Sequence, residues 1–211
     1  MRKWFPVIPI AGAFVLSAAV YSRLPNPMAT HWGIDGAANG YSSRLVGAFI
    51  MPVMALAIWG FMRGLPYIDP LRANYAKFQS TYDLMVNAFV TLLALVNVAV
   101  LGRSLGWPMP DMGRMMAVLV GAMTLLLGNV LPRARPNWWF GIRTPWTLTS
   151  DTVWTKTHRV GGYLMSAAGV ITLLSAFLPQ RATFVVLMVS LMGASLGSVV
   201  YSYFAWREEE P

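Results

Sequence analysis

Six apolar runs, separated by short polar stretches, dominate the pattern of hydrophobic and polar positions along the chain. They cover residues 4–21, 45–67, 84–101, 115–131, 161–178 and 183–206. Apolar runs of this length predict membrane-spanning helices, because a helix pairs its own backbone N–H and C=O groups where no water can do so. The pattern therefore predicts an all-α fold, a polytopic membrane helical bundle with about six transmembrane helices.

The spacing of these runs predicts two regions. The first is an N-terminal two-helix unit over residues 1–67, whose loop at 22–44 is rich in Pro, Gly, Asn and Ser and long enough to fold back on itself. The second is a four-helix region over residues 68–211, with a loop rich in Trp and Arg at 132–160. A tight turn at 179–182 predicts that the last two helices are antiparallel neighbours.

Positive charges indicate the orientation in the membrane. An even number of spans puts both termini on one side, and Lys and Arg concentrate in cytoplasmic loops. Of the 16 Lys and Arg residues, the terminal side holds Arg2, Lys3, Arg63, Arg72, Lys77, Arg133, Arg135, Arg143, Lys156, Arg159 and Arg207. The other side holds Arg23, Arg44, Arg103, Arg114 and Arg181. Both termini and the loop 132–160 are therefore expected to be cytoplasmic, and the loop 22–44 extracytoplasmic.

The composition agrees with a membrane protein and limits the kinds of site that the chain could form. The chain is 56% hydrophobic and 11% charged, and it contains no Cys, which excludes disulfides, thiolate nucleophiles and Cys-ligated metals. Its net charge of +8 is distributed between apolar spans rather than along one basic face, so direct nucleic-acid binding is not expected. None of the eight acids falls inside a span, as an intramembrane protease or a coupled transporter would require.

Few residues could support catalysis or metal binding. His31 and His158 are the two histidines, and no HExxH motif is present, so we expect no enzyme, no catalytic residue, no cofactor and no His-ligated metal. The methionines Met109, Met112 and Met115, with Met116, could bind Cu(I), but packing is the stronger interpretation because Met fills apolar gaps.

Polar and small residues within the spans have structural interpretations. Asn87, Asn97 and Asn129 are expected to form interhelical hydrogen bonds, and the alternative is that they line a polar path through the bundle. Gly193 and Gly197 form a small-xxx-small face, which favours close packing within the bundle over the alternative of dimerisation.

The loop at 132–160 combines aromatic and cationic residues in an ordered arrangement. Its Trp side chains suit headgroup depth, and its Arg and Lys side chains suit anionic lipid. Ser150 and Asp151 are expected to cap a short helix that bears Val153, Trp154 and Thr157 and leads into the fifth span. This loop is therefore predicted to be folded rather than a flexible tether.

Residues from the fourth run onward resemble a known family. They are Gly128-Asn129, Leu131-Pro132-Arg133, Arg135-Pro136-Asn137, the string Phe140-Gly141-Ile142-Arg143-Thr144-Pro145-Trp146-Thr147-Leu148, Trp154 and Thr157-His158-Arg159. This highly specific string resembles the SdpI family, membrane proteins that give immunity to the sporulation-delaying peptide toxin.

The first loop resembles the domain of unknown function that commonly precedes the SdpI region. The matching residues are Leu24-Pro25, Pro27, Thr30-His31-Trp32, Gly36 and Gly40-Tyr41. Asn39 stands where an acid is expected. Together the two resemblances cover most of the chain up to the fifth helix.

The resemblance implies a function and a set of sites. Members of the family protect the producing cell from a secreted toxin, and the founding member also recruits a transcriptional repressor to the membrane. The chain is therefore expected to be a multi-pass immunity protein of the bacterial cytoplasmic membrane, with a peptide toxin, a possible cytoplasmic repressor and membrane lipids as partners. No reaction is implied. The toxin is expected to meet His31, Trp32, Asp35 and Tyr41.

The cytoplasmic motif implied by the resemblance consists of Asn129, Arg135, Asn137, Phe140, Gly141, Arg143, Pro145, Trp146, Trp154, His158 and Arg159. Two roles stay open for it, docking of a partner and maintenance of the fold. The alternative function is a small membrane transporter, channel or lipid-handling protein. A continuous polar cavity lined by the three span asparagines would favour transport, and a dry core filled by Met and Leu would favour immunity.

Overall fold

A computed structural model of the chain describes residues 4–209, so Arg2, Lys3 and Glu210 lie outside the described residues. Within this range the helices are α1 Val7–Val20, α2 Arg44–Ile68, α3 Tyr75–Ser104, α4 Met112–Val130, α5 Pro145–Thr149, α6 Asp151–Ser175 and α7 Gln180–Arg207. The strands β1 Met28–Trp32 and β2 Ala38–Ser42 form an antiparallel hairpin between α1 and α2. The predicted helical bundle is confirmed, and the hairpin is a small addition to it.

Each predicted apolar run coincides with a helix. In residues 4–209, α2, α3, α4 and α7 are long and apolar enough to cross a membrane, judged by length and composition, whereas α1 is apolar but shorter. The helix α6 has 25 residues, but its first nine residues include the charged side chains Asp151, Lys156 and Arg159. The chain is thus a multi-pass membrane protein, and the crossing by α1 and α6 stays a prediction.

The helices pack as two groups of three. In one group α1 lies against both α2 and α3, and in the other α6 packs between α4 and α7. The contact between α3 and α4 joins the groups. The helices α6 and α7 are antiparallel neighbours across the short turn at 176–179, as the sequence predicted. We call the two ends of the bundle the hairpin end, with β1 and β2, and the loop end, with residues 131–150.

Glycines bring α4 and α6 into backbone contact. A Cβ atom on Gly162 would lie 2.8 Å from the carbonyl oxygen of Gly128, and one on Gly121 would lie 2.9 Å from the backbone nitrogen of Leu173. Such contacts between helix backbones are typical of association inside a membrane, where no hydrophobic force drives helices together. A Cβ on Gly193 of α7, in contrast, would meet nothing within 4 Å, so the predicted packing of Gly193 within the bundle is wrong.

The span asparagines lie in three separate environments. Asn97 is fully buried and donates to Ser17 Oγ at 3.1 Å and to the carbonyl oxygen of Ala13 at 3.4 Å, which confirms an interhelical role. Asn87 is buried beside a mostly apolar cavity of about 290 Å³, and Asn129 is exposed and accepts from Arg133. Because Asn97 is bonded to α1 and Asn129 lies outside, the three amides do not line one polar path.

Candidate functional site

The hairpin is shaped by its turn and by cross-strand pairs. Gly33 N–H donates to the Ala37 carbonyl oxygen at 2.9 Å, Asp35 Oδ1 accepts from Ala37 N–H at 3.1 Å, and Gly36 has φ +80°. His31 Nδ1 lies 2.5 Å from Asn39 Oδ1 on the opposite strand. Asn39 therefore supplies the acceptor oxygen that an acid would supply at the same position.

The hairpin is held against the ends of two distant helices. A Cβ atom on Gly36 would overlap the side chain of Gln180, the first residue of α7. The same side chain would lie 2.7 Å from a Cβ on Gly113, near the start of α4. Gln180 thus fits between two glycines, and the N-terminal region of the chain closes over the C-terminal region at the hairpin end.

This closure leaves a cavity of about 250 Å³ under the hairpin. Its lining is mostly apolar, with Gln180 and Thr183 as polar members, and consists of Trp32, Gly33, Ile34, Met112, Gly113, Met116, Val120, Gln180, Thr183, Phe184 and Leu187. We call it the hairpin cavity. An apolar pocket with a few polar groups is the usual form of a binding site.

The predicted toxin-facing residues separate in the structure. Trp32 is half-buried and lines the hairpin cavity, whereas Tyr41 is 60% exposed and His31 and Asp35 are exposed in the hairpin and its turn. Sequence reasoning missed Ile34, Gln180 and Phe184 as cavity residues, because no pattern joins a loop to a helix about 150 positions later in the chain. Met112 and Met116 line the cavity and pack against the core, which agrees with packing as their role.

At the loop end, Asn137 organises the Trp- and Arg-rich loop. The side chain is fully buried, and its Nδ2 donates to the carbonyl oxygens of Arg135 and Phe140 at 2.8 and 2.9 Å. Its Oδ1 accepts from the backbone N–H groups of Trp139 and Phe140 at 2.9 and 2.6 Å. One amide therefore fixes a turn of four residues, much as a cap fixes a helix end.

The loop is attached to the connection between α2 and α3 through Asp69, which is 2% exposed. Its carboxylate accepts from Leu71 N–H at 2.7 Å, from Tyr75 Oη–H at 2.9 Å and from Trp138 N–H at 2.9 Å. Nearby, Asn74 Nδ2 donates to the Pro136 carbonyl oxygen at 2.9 Å. Sequence reasoning assigned no role to Asp69, because an acid beside a proline predicts only a turn and says nothing of a partner 69 residues away.

His158 links the loop to α6. It is fully buried and stacks on Trp154 with ring centroids 4.0 Å apart. Nε2 accepts from Ile142 N–H at 3.0 Å, and Nδ1 lies 2.8 Å from the Trp154 carbonyl oxygen, so Nδ1 carries the proton. Gly141 passes directly beside this ring with φ +114°. The close approach and the positive φ both require glycine at that position.

Further hydrogen bonds close the loop against α6 and α7. Trp154 Nε1 donates to the Ala134 carbonyl oxygen at 2.9 Å, and Trp146 Nε1 donates to Ser202 Oγ at 2.7 Å. Thr144 and Thr147 form a capping box with Pro145 at the first position of α5. Ser150 Oγ accepts from Val153 N–H at 3.1 Å, which confirms the predicted cap and shows that the helix continues into the fifth span.

The residues of the motif that the family resemblance implied are therefore divided between interior and surface. Asn137, Trp154 and His158 are buried, Phe140, Gly141 and Trp146 are half-buried, and the exposed members are Asn129, Arg135, Arg143, Pro145 and Arg159. Trp138 and Trp139 are also exposed. The buried members cannot present their side chains to a partner, and their contacts maintain the fold of the loop.

Acid is expected to weaken this loop through His158. Burial lowers the pKa of His158 from 6.5 to about 4. Between these pH values His158 binds a proton in the unfolded chain but not in the folded chain. The free energy of unfolding is therefore highest above pH ~6.5 and decreases as the pH falls towards 4. We expect a loss of about 3 kcal/mol by pH 4.

The free energy of unfolding in detergent micelles, measured from pH 7.5 to pH 4, checks this expectation. His158→Gln removes the titrating ring and should lower stability at pH 7.5 while flattening its dependence on pH. If the free energy of unfolding depended on pH equally steeply in the wild type and the variant, His158 would not be the cause of the loss of stability in acid.

Two regions of the chain match known proteins. Residues 133–202 match the SdpI/YfhL protein family, and residues 8–56 match a domain of unknown function, DUF1648. The chain is 25% identical over 202 residues to Immunity protein SdpI of Bacillus subtilis (strain 168), covering 96% of this chain and 94% of that protein. No solved structure matches the chain significantly. The family resemblance seen in the sequence motifs is confirmed.

Proposed function

We propose that this chain, which carries an SdpI-family region at residues 133–202 behind a DUF1648 region at residues 8–56, is an integral membrane immunity protein against a secreted, membrane-active peptide toxin. The observation that supports this most is the similarity to Immunity protein SdpI, which extends over 96% of this chain and 94% of that protein. We place the protein in the bacterial cytoplasmic membrane and assign it no enzymatic reaction.

The hairpin cavity is the site that we propose for the toxin. Its volume of about 250 Å³ suits one or two apolar side chains of a peptide rather than a whole small-molecule ligand. Trp32 supplies a rigid aromatic wall, and Gln180 supplies an amide for hydrogen bonds to a peptide backbone. His31 and Tyr41, exposed on the hairpin, would contact the part of the peptide that stays outside the cavity.

Survival of a toxin-sensitive bacterium that expresses the full chain tests the function. The cells are challenged with the sporulation-delaying peptide and with any peptide toxin encoded in the same operon as this chain, and membrane abundance is measured in parallel. Protection from either peptide would support immunity. Sensitivity to the peptide from its own operon, at normal abundance, would favour transport or lipid handling instead.

Trp32→Ala is expected to reduce protection roughly thirtyfold in the toxin concentration that the cells tolerate, which corresponds to about 2 kcal/mol for an aromatic side chain central to an interface. The measurement is a toxin dose–survival curve at matched membrane abundance. Trp107→Ala is the matched control, because Trp107 lies at the same end of the bundle outside the hairpin cavity. Equal protection by the two variants would remove the hairpin cavity from the proposal.

A cytoplasmic repressor is the further partner that the resemblance implies, and we propose that it would dock at the loop end. Only exposed residues could meet it, chiefly Arg135, Trp138, Pro145 and Arg159. The C-terminal segment lies on the same surface, since Lys156 pairs with Glu208 at 3.3 Å and Ser150 Oγ donates to Glu209 Oε2 at 2.7 Å.

A further inference from the structure

A larger cavity, of about 620 Å³, lies at the loop end between the two groups of helices. Ile58 and Met62 of α2 and Phe89 of α3 form one wall, and Leu127 of α4 and Met165 of α6 form the other. Residues 139–143 of the Trp- and Arg-rich loop complete it. We call it the loop-end cavity. It occupies the space where α2 and α6 do not pack against each other in the described part of the chain.

The loop-end cavity is deep, apolar and open at the side of the bundle. On α2 its lining runs from Leu65 to Ile58, a separation of seven positions that corresponds to about 10 Å along a helix. At its mouth Phe61 and Trp139 are exposed, with ring centroids 6.0 Å apart. In a membrane these exposed rings would suit the headgroup region, which Trp side chains prefer.

Arg143 is the one lining residue with a charged side chain. Its Nη1 donates to the Trp138 carbonyl oxygen at 2.6 Å, which holds the guanidinium in place and leaves its other N–H groups available. Among residues 4–209 no carboxylate lies within 4.0 Å of it, whereas Arg63 has Asp83 at 3.6 Å. A fixed cation over an apolar cavity at headgroup depth complements an anion attached to a hydrocarbon chain.

We propose that the loop-end cavity binds one acyl chain of an anionic phospholipid, whose phosphate accepts hydrogen bonds from Arg143. The volume, depth and apolar lining fit the chain, and the guanidinium fits the phosphate. A secreted peptide is a poorer match, because this cavity lies at the opposite end of the bundle from the hairpin. The inference is independent of toxin immunity, since lipid binding is measured without toxin.

Native mass spectrometry of the purified, delipidated full chain tests the proposal with two probes, phosphatidylglycerol and phosphatidylcholine with identical acyl chains. The wild type is expected to retain one phosphatidylglycerol molecule roughly tenfold more tightly than phosphatidylcholine, because the choline ammonium group offsets the negative charge of the phosphate that Arg143 binds. Arg143→Gln should abolish this preference, and Arg143→Lys should keep most of it, because a lysine still carries the charge.

A second variant tests the apolar wall independently of the loop. Met165→Trp fills the loop-end cavity and should weaken retention of both lipids at least tenfold, with Val189→Trp, on an exposed part of α7, as its control. Circular dichroism and a single peak in size-exclusion chromatography identify folded variants. If the wild type retained the two lipids equally, Arg143 would not be the group that selects the anionic lipid. If folded Met165→Trp retained the lipids as tightly as the wild type, the loop-end cavity would not be the binding site.

Discussion

Replacing Gly128 by alanine is expected to lower the free energy of unfolding by about 3 kcal/mol, at the upper end of the usual cost of overpacking. The new Cβ would overlap the backbone nitrogen of Ser166 in α6 and would also lie 2.7 Å from the Gly162 carbonyl oxygen. Backbone atoms cannot turn away as a flexible side chain can. The helices α4 and α6 must therefore separate, and separation weakens the contacts along their whole length.

A titration of the micelle-bound protein with a denaturing detergent measures this loss. Gly193→Ala is the matched control, because a Cβ there meets nothing within 4 Å on an equally helical backbone. It should leave stability unchanged or raise it by up to about 1 kcal/mol, the difference in helix propensity between Gly and Ala. Similar stabilities for the two variants would show that α4 and α6 do not depend on backbone contact.

Gly141→Ala is expected to destabilise the protein by about 4 kcal/mol through two separate causes. An alanine at φ +114° is strained, which costs about 1–3 kcal/mol. Its Cβ would also overlap Nε2 of His158, which cannot yield because the ring is buried against Trp154 and accepts from Ile142 N–H. Losing that hydrogen bond leaves a buried N–H unpaired, at about 1–3 kcal/mol.

The same titration separates the two causes when Gly106→Ala is included. Gly106 has φ +71°, but a Cβ there meets nothing within 4 Å, so this variant carries the backbone strain alone. The difference between the two variants reports the contact with His158, and a His158→Ala background should reduce it. If Gly141→Ala costs no more than Gly106→Ala, the motif around Gly141 does not depend on that ring.

Local patterns predicted the six long helices of this protein correctly, but not the hairpin or α5. The six apolar runs coincide with α1, α2, α3, α4, α6 and α7, since a chain in lipid has few alternatives to the helix. Ser150 caps α6 as expected, because a hydroxyl at a helix start bonds to an N–H three residues later. The residue string from Phe140 to Leu148 predicted the match to the SdpI/YfhL family model, because its order is specific even where its structural role is not visible.

Contacts between distant segments could not be predicted in this way. The small-xxx-small pattern in α7 suggested close packing at Gly193, but the backbone contact is formed by Gly128 and Gly162 on α4 and α6. The helices α4, α6 and α7 all contain glycines, and the sequence pattern does not show which of these glycines face a neighbouring helix. Asp69 had no assigned role, because its partner Trp138 becomes a neighbour only when the loop folds onto the start of α3.

The sequence by itself thus determined a helical membrane protein that resembles the SdpI family, with two polar segments of distinctive composition between its spans. Only the tertiary structure decided that Gln180 closes the hairpin cavity against Gly36, and that Asn137 of the loop and His158 of α6 are both buried. The physical reason is the separation along the chain over which each kind of interaction acts. Hydrophobicity and capping act within a few residues of the chain, whereas a cavity or a buried hydrogen bond exists only after separate helices have packed together.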